Sequence, residues 1–457
     1  MSLQHRNSNQ RINIIMLKQY LRKLLLTYAL FAFGSLAYAQ NNPAMSLSDC
    51  ISYALENHPN IKVANLQVKD AYWRIKENKA TALPQLTGGV SYQYFIQRPG
   101  IPASALGFGT GDEKIVFSPV HSLSPSIALN QLFFSNSYRV ATKAARYYSE
   151  YVNQQLTVAR QTVQNQVIEA YLPALLISEN VGIFDKNIGN LDKLFSDTKA
   201  INQAGFAEQL DVDRLELSLS TIRSERGNLL RQQEIVVNAL KFVMGMPVQN
   251  QISLSDNLNK LLSEYAALDV TAEPNLMNRP EYVQLLKGRE LSALQVDLYR
   301  KPWMPTVAGF VQYQPGWQGG FGDQTEWFFV PSAVAGLSVN FSIWDGGGAK
   351  ARQERAMVGV QTIDAQKELL ENAVALEVAN ARKQYDNAAE RVASQQKNLT
   401  LAQRIYDTTQ TKYKAGIGSS FEVTQSESAL YSAQQGLLQT QFDLLTAKVA
   451  IKKAMGQ

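Results

Sequence analysis

The sequence predicts an α+β fold in which a unit of helix, strand, strand, very long helix and long helix occurs twice. Three observations predict it. The same landmark residues recur at matching distances in the two halves, short stretches alternate apolar and polar residues, and long stretches place apolar residues at every seventh position. Alternation with a period of two indicates strands, and a sustained 3.5-residue period indicates helices that supercoil around their neighbours.

Residues 1–39 are predicted to be a secretory signal peptide. Basic residues precede an apolar run from Leu24 to Leu36, and Ala37-Tyr38-Ala39 supplies the small residues of a cleavage site. The apolar run is about 13 residues long, short of the roughly 20 that a membrane-spanning helix needs. We therefore expect the mature chain to begin at Gln40, whether translation starts at Met1 or at Met16.

Cleavage would leave a chain of balanced charge. The full chain has 44 Lys and Arg residues against 39 Asp and Glu residues, and five of the basic residues but no acidic one precede residue 40. This balance removes the electrostatic argument for a nucleic-acid partner, so none is expected. The single cysteine, Cys50, has no partner for an internal disulfide and does not directly follow the cleavage site, as lipid attachment requires.

An internal duplication organises the rest of the chain. In each half an Asn-x-Pro motif is followed, 25 residues after its proline, by a second proline. The prolines of the two motifs are Pro59 and Pro280. Near the end of each half, two glycines lie 40 residues apart, beginning at Gly205 and at Gly416. Repeats at fixed spacing indicate repeated structural units. We predict a first repeat at residues 40–246, an inter-repeat segment at 247–273 and a second repeat at 274–457.

Four stretches alternate apolar and polar side chains and are predicted to be strands, at about residues 85–97, 122–134, 306–316 and 333–343. Such strands are typical of a membrane barrel with a hydrated lumen, and a soluble hairpin with one buried face is the alternative. Flanking aromatic residues favour the barrel, because they resemble interfacial girdles. They are Phe133, Phe134 and Trp344 at one end, and Trp317, Trp327, Phe328 and Phe329 toward the other. Four strands cannot close, so closure requires several chains.

Long heptad stretches follow the strands in both halves. In the second half the apolar seam runs through Val378, Tyr385, Val392, Leu399, Tyr406 and Tyr413. The first half has a similar seam from Val167, within a stretch of about 100 Å at the α-helical rise. A two-stranded coiled coil is the alternative for such heptads. The alanine-rich seam and the polar remaining faces favour helices packed side by side in a tube with a hydrated interior.

The residues do not indicate an enzyme or a cofactor site. Ser196 and Lys199 match a Ser-x-x-Lys motif, but Ser196 lies inside the heptad helix and no Lys-Thr-Gly motif is present. The glycine clusters near Gly107 and Gly319 do not open a helix after a strand and lack the phosphate-loop Gly-Lys-Ser/Thr. The two histidines beyond residue 39 are isolated, so no metal site is expected.

As an ordered set, these motifs resemble the TolC-type outer membrane efflux family over residues 46–456. The features that carry the resemblance are SLSDCISYALENHPNI, NRPEY, LNQLFF, VNFSIWDGG and the paired motifs QAGFAEQLDVDRLEL and KYKAGIGSSFEVTQSESAL. The resemblance implies a homotrimer with a 12-stranded β-barrel in the lipid of the outer membrane. Below it would lie a periplasmic α-helical coiled-coil barrel, with a belt that includes residues 247–273.

The resemblance also implies a function and partners. The chain would be a passive exit duct of a tripartite efflux or type I secretion system, supplied by an inner-membrane pump through a periplasmic adaptor. The adaptor would contact two tip turns at residues 204–206 and 415–418: Ala204, Gly205, Phe206, Ala415, Gly416, Ile417 and Gly418. The alternative is a periplasmic coiled-coil adaptor or scaffold without a pore. Adaptors typically carry one helical hairpin between β-rich domains, whereas this chain has two hairpins.

Specific residues at the tips and at the mouth are further expectations. Gly205, Gly416 and Gly418 are expected to allow left-handed turns, with Ser419 and Glu422 capping the returning helix. Some members of the family close the periplasmic mouth with two acidic rings. Here Asp407 matches one ring, and Gln410 stands at the position of the other. Asp407 is therefore the candidate gate residue, with an ordinary solvated aspartate as the alternative.

Overall fold

In the computed structural model, residues 44–107, 114–266, 269–320 and 326–456 are described, and the predicted signal peptide lies outside these ranges. The helices are α1 (Leu47–Asn57), α2 (Pro59–Ala80), α3 (Asn136–Gln203), α4 (Gln209–Met244), α5 (Leu258–Glu264), α6 (Pro280–Arg300), α7 (Gly348–Lys414) and α8 (Ser420–Ala454). The strands are β1 (Ala44–Met45), β2 (Gln85–Tyr94), β3 (Ile101–Pro102), β4 (Lys114–Ile115), β5 (His121–Phe134), β6 (Ser253–Leu254), β7 (Thr306–Gly319) and β8 (Trp327–Asn340). Both halves of the chain thus place two long strands before one very long helix and one long helix.

The short helices begin at the motifs that marked the two halves. Ser46 caps α1 with a reciprocal capping box: its hydroxyl accepts from the Asp49 amide at 3.2 Å, and the Asp49 carboxylate accepts from the Ser46 amide at 3.0 Å. Pro59 and Pro280 occupy the first turns of α2 and α6, where a missing N–H costs no hydrogen bond. The Asn-x-Pro landmark therefore marks the start of the helix that leads into each hairpin.

Four long strands form one antiparallel sheet in the order β2-β5-β7-β8. The third strand continues to Gly319, and the fourth begins at Trp327 and ends at Asn340, so the predicted range of 333–343 was wrong at both ends. The last residue of β8, Asn340, pairs with the first residue of β7, Thr306. The residue before it, Pro305, has no N–H group and cannot extend the hydrogen-bond ladder. The first strand likewise ends at Tyr94 rather than at residue 97, opposite the first residue of β5.

The long helices continue directly from the sheet. The helices α2, α3, α6 and α7 are neighbours in that order, which is the order of the strands that they join. The pairs α3–α4 and α7–α8 form two antiparallel hairpins, and α3 runs through Pro173 without interruption. The molecule is therefore one sheet continued by one layer of long helices, rather than a stack of globular domains.

A belt segment packs against the middle of the helices. The parallel pair β1–β6 and the short helix α5 cover a core that includes Tyr171, Leu175 and Leu240. Asp256 lies at its centre: the carboxylate accepts hydrogen bonds from the Leu47 amide at 2.7 Å and the Tyr171 hydroxyl at 3.0 Å. The belt is thereby fixed to α1 and α3 at once.

Candidate channel wall and helical tips

The two faces of the four-stranded sheet differ in chemistry. The strand register places the apolar side chains of one face side by side: Leu86, Val90, Tyr92, Leu123, Ile127, Leu129, Val307, Val311, Tyr313, Leu337 and Val339. Most of them are exposed, so nothing in the described part of the chain covers this face. The opposite face carries mainly Ser, Thr, Gln and Asn residues. An uncovered apolar face opposite a polar face is the pattern of a membrane barrel wall.

Aromatic side chains cluster at both ends of the apolar face. At the hairpin end, the His121 ring lies 5.1 Å from the Tyr94 ring and 5.9 Å from the Trp327 ring, centroid to centroid, and its Nδ1 is 2.9 Å from the Tyr92 hydroxyl. At the helix end the Phe133 ring covers Gly309. The predicted girdle residues Trp317, Trp327, Phe328 and Phe329 lie within strands rather than beside them. The prediction for Phe328 was wrong, because the register places it opposite Gln318 on the polar face. A Cβ atom at Gly319 would lie 3.0 Å from the Trp327 ring, so glycine leaves room for that ring.

Both edges of this sheet are open in the described chain. The strand β2 pairs only with β5, and β8 pairs only with β7. An open edge leaves a row of unpaired N–H and C=O groups, which lipid cannot satisfy. The geometry therefore requires further strands at both edges if the sheet lies in a bilayer.

The two helical hairpins end in turns of the same construction. Gly205 and Gly416 have φ values of +83° and +74°, as predicted. The Phe206 amide donates to the Ile201 carbonyl at 3.0 Å, and the Ile417 amide donates to the Lys412 carbonyl at 3.1 Å, which completes a Schellman motif at each tip. The turns extend two residues and one residue beyond the predicted ranges, since α4 begins at Gln209 and α8 at Ser420.

Gly418 was predicted to allow a left-handed turn, and that prediction was wrong. Its φ is not positive, but a Cβ atom there would approach the Tyr413 amide nitrogen to 3.1 Å, so glycine is needed for close packing. Ser419 caps α8 as predicted, because its hydroxyl accepts from the Glu422 amide at 3.3 Å. The tip therefore folds back more tightly than a left-handed turn alone would require.

The tips present apolar side chains to solvent. Phe206 is 86% exposed and Ile417 is 78% exposed, although both are large and apolar. Ala204, Gly205, Ala415 and Gly416 are also exposed, whereas Gly418 is half-buried. Two adjacent turns with exposed apolar side chains are a surface suited to protein contact.

Contacts between the two hairpins lie just above the tips, and sequence reasoning missed them. The Thr198 hydroxyl is 3.0 Å from the Tyr413 hydroxyl, and the Ser420 hydroxyl donates to the Asp211 carboxylate. Thr198 and Ser420 are almost fully buried. The partners are more than 200 residues apart in the chain, so no local pattern could have indicated them.

Asp407 is exposed on α7, one residue after the buried Tyr406. Its carboxylate accepts a hydrogen bond from the Gln403 side chain at 2.9 Å. Gln410 instead donates to the Tyr406 hydroxyl at 3.3 Å. Asp407 is thus free to face an aqueous space, and its place in a gate remains a prediction.

A half-buried carboxyl on α8, that of Glu427, was also missed by sequence reasoning. Glu427 lies beside a cavity of about 510 Å³ between α3, α4 and α8, and in the described chain it has no hydrogen-bond or ion-pair partner. Burial raises the pKa of Glu427 to about 7. The surrounding polar residues are neutral apart from Glu225, so no cation offsets the burial.

Comparisons with known proteins agree with this geometry. The family model described as outer membrane efflux protein matches residues 50–246 and 275–457. The pyoverdine export outer membrane protein OpmQ of Pseudomonas aeruginosa is 24% identical over 426 residues, 90% of this chain and 85% of that protein. The cation efflux system protein CusC of Escherichia coli O157:H7 is 22% identical over 417 residues, 89% of this chain and 85% of that protein.

Solved structures share the fold. The outer membrane protein VceC of Vibrio cholerae superposes with a TM-score of 0.66 at 16% identity, covering 90% of this chain and 96% of that one. The open state of the MtrE outer membrane channel of Neisseria gonorrhoeae superposes with a TM-score of 0.68 at 17% identity, covering 90% and 88%.

Proposed function

The chain belongs to the outer membrane efflux protein family, and from this premise we propose the assembly and the partners through which it works. It is an outer-membrane channel component of an efflux system, a passive exit duct whose helical tunnel lies in the periplasm. The observation that carries this function is the continuity of a sheet with one uncovered apolar face and a layer of helices about 100 Å long. A pore-free adaptor would have no use for such a sheet. The residues act as a wall and carry no catalytic activity.

Three chains close the barrel and the tunnel. Three copies of four strands give twelve, with β2 of one chain beside β8 of the next. The two outer helices of the layer, α2 and α7, continue from the two edge strands and carry exposed apolar side chains. These are Val63, Leu66, Tyr72 and Trp73 on α2, and Val358, Leu369 and Leu376 on α7. Burial of these side chains between α2 and α7 of adjacent chains would continue the helix order seen within one chain. Mass measurement of the purified protein in detergent is expected to give three copies, and a monomer would contradict this assembly.

The tips contact a periplasmic adaptor, which joins the duct to an inner-membrane pump. The relatives are named for different cargoes, pyoverdine and cations, which fits a duct whose selectivity resides in the pump. The support in this chain is the exposed apolar pair Phe206 and Ile417 at adjacent turns.

Removal of both apolar tip side chains should weaken adaptor binding. Phe206→Ser with Ile417→Ser is expected to weaken binding at least about tenfold, because exposed apolar anchors dominate such contacts. Trimer mass and thermal stability should stay the same, since neither side chain packs inside the described chain. Co-purification with the adaptor after mild crosslinking measures the effect. Phe242→Ser, an exposed apolar residue near the other end of α4, is the control. Equal losses in both variants would place the docking surface elsewhere.

Asp407 forms an acidic ring near the periplasmic mouth. It precedes Gly416 by nine residues, roughly 13 Å of helix. Three carboxylates brought close together attract cations, as acidic rings do in cation channels. Asp407→Asn is therefore expected to lower cation preference and divalent-ion block in single-channel recordings of the assembled trimer. Asp386→Asn, an exposed aspartate at the same heptad position three heptads earlier, is the matched control. Unchanged selectivity in the Asp407 variant would return this residue to the solvated surface.

A further inference from the structure

We propose that a basic groove at the junction of barrel and helices binds the phosphate group of an anionic phospholipid in the inner leaflet of the outer membrane. The groove has a volume of about 350 Å³ and lies between the start of α3 and the end of α6. Four basic residues line it, Arg139, Lys143, Arg300 and Lys301, against one acidic residue, Asp297. The proposal rests on the outer-membrane location of the chain and not on the adaptor contacts.

The four basic groups lack protein partners. None of their side chains makes an ion pair or a hydrogen bond within the described ranges, and Lys143 only approaches the Tyr147 ring, at 5.6 Å. Lower on the same pair of helices, basic groups are paired: Lys287 bridges to Glu150 at 2.9 Å. The groove is therefore a local excess of positive charge between helices that elsewhere balance their charges.

Helix electrostatics explain only part of this arrangement. Arg300 lies in the last turn of α6, where a cation stabilises the carboxyl end of the helix. Arg139 lies near the amino end of α3, where the helix dipole disfavours a cation, and the first turn of α3 contains no acidic residue. A bound anion would be attracted by the dipole of α3 and by both arginines. Arginine is suited to this role because its planar guanidinium donates two parallel hydrogen bonds to a phosphate.

The position of the groove identifies the source of the phosphate. The helix α3 begins two residues after β5 ends, and α6 ends six residues before β7 begins, so the groove lies where the chain leaves the bilayer. Trp303, in the short connection to β7, is 63% exposed, as expected for an aromatic residue at a membrane interface. Val140 and Leu294 supply apolar walls beside the charges. Basic pockets beside membrane-spanning elements are known to recognise anionic lipid headgroups.

The test measures lipid binding by the full-length protein. The protein in detergent is titrated with phosphatidylglycerol or with phosphatidylcholine, and bound lipid is counted by native mass spectrometry. The wild-type protein should prefer phosphatidylglycerol. Arg139→Gln with Arg300→Gln should weaken phosphatidylglycerol binding at least about tenfold, because each basic residue near anionic lipid contributes about a fivefold gain in affinity. Arg139→Lys with Arg300→Lys keeps the charge and should bind with intermediate affinity. The substituted side chains are exposed, so folding and oligomer mass should not change.

Matched controls separate the possible outcomes. Lys383→Gln with Lys397→Gln removes two exposed, unpaired basic residues from α7, far from the groove, and should leave lipid binding unchanged. Equal phosphatidylglycerol binding by the groove variant and the wild-type protein would overturn the proposal. It would also be overturned if inorganic phosphate bound as tightly as the lipid and with the same dependence on the arginines, because the groove would then be a site for free anions. A change in oligomer mass alone would concern the trimer and not this site.

Discussion

Asp256→Ala is expected to produce a larger loss of stability than the other single substitutions considered. Asp256 is buried at the centre of the belt and holds the Leu47 amide, the Tyr171 hydroxyl and the Lys260 ammonium, the last at 2.7 Å. Alanine would leave the buried Leu47 amide without its acceptor and the Tyr171 hydroxyl with only the Met45 carbonyl, at 3.4 Å. Loss of one partner from such a buried cluster costs about 3–5 kcal/mol. Thermal unfolding of the purified protein, followed by circular dichroism, measures the loss.

A second variant and the pH dependence separate the charge of Asp256 from its role as a hydrogen-bond acceptor. Asp256→Asn keeps an acceptor for Leu47 and Tyr171 but loses the charge, so its loss should be smaller. Burial alone would raise the pKa of Asp256, but hydrogen bonds from Lys260, Leu47 and Tyr171 outweigh burial and lower it. The stabilisation should therefore be present above the ordinary aspartate pKa near 3.8 and be lost as the pH falls below it. Asp197→Ala removes an exposed carboxylate from α3 as the control. Equal losses for Asp256→Ala and the control would contradict the role of the cluster.

Glu427→Gln is expected to stabilise the protein at neutral and higher pH. Burial raises the Glu427 pKa from 4.5 to about 7, so between these values the folded protein binds a proton that the unfolded chain has lost. The contribution of Glu427 to stability therefore declines as the pH rises through this window. Above it, glutamine would remove a cost of up to about 3 kcal/mol. Glu225 on α4 lines the same cavity, and the Glu427 charge acts on Tyr406 on α7; neither of these groups is cationic.

The pH dependence distinguishes this effect from general stabilisation. The difference in unfolding temperature between Glu427→Gln and the wild-type protein should be small near pH 4.5 and should grow toward pH 8. Glu390→Gln removes an exposed carboxylate from α7 and should show no such growth. A constant difference across this range would mean that Glu427 is already ionised in the folded protein at acidic pH.

Periodicity predicted the elements of this fold because local physical chemistry determines them. Alternation placed Leu86 and Val90 on the face that the strand register later showed to be apolar. Strand ends were less predictable, because they depend on the partner strand: β8 stops at Asn340 since Pro305 ends the ladder on β7.

The candidate site was predictable only where the chain itself makes the turn. Gly205 and Gly416 are local turn signals and have the expected positive φ. The pairs Thr198–Tyr413 and Asp211–Ser420 join distant segments, so no spacing pattern could indicate them. Burial of Glu427 likewise depends on the packing of three helices and left no signal in the sequence.

The two proposed repeats predict how adjacent chains pair in the barrel. Within each repeat the hairpin begins with equivalent pairs, Gln85 opposite Asn130 and Thr306 opposite Asn340. In the described four-stranded sheet the two repeats meet where β5 pairs with β7, and Asn130 lies opposite Phe310 there. The junction between chains, β8 against β2, should repeat this geometry.

A cysteine crosslink across the edge between two chains tests most directly whether the chains join edge to edge in the outer membrane. Ala128 lies opposite Gln312 at the junction within the chain. The equivalent residues at the junction between chains are Ser338 of one copy and Ser91 of the next. Opposed residues on antiparallel strands have Cα atoms about 4.5–5.5 Å apart, which is within the Cα separation of a disulfide. The single native cysteine, Cys50, is buried and adds little background.

We expect Ser91→Cys with Ser338→Cys to form covalent trimers in outer membranes under mild oxidation, and we expect reduction to return monomers. Ser91→Cys with Ser332→Cys is the matched control, because Ser332 shares the face but lies about 20 Å along the strand. Monomers alone from the Ser91–Ser338 pair, or equal crosslinking by both pairs, would contradict the edge-to-edge barrel.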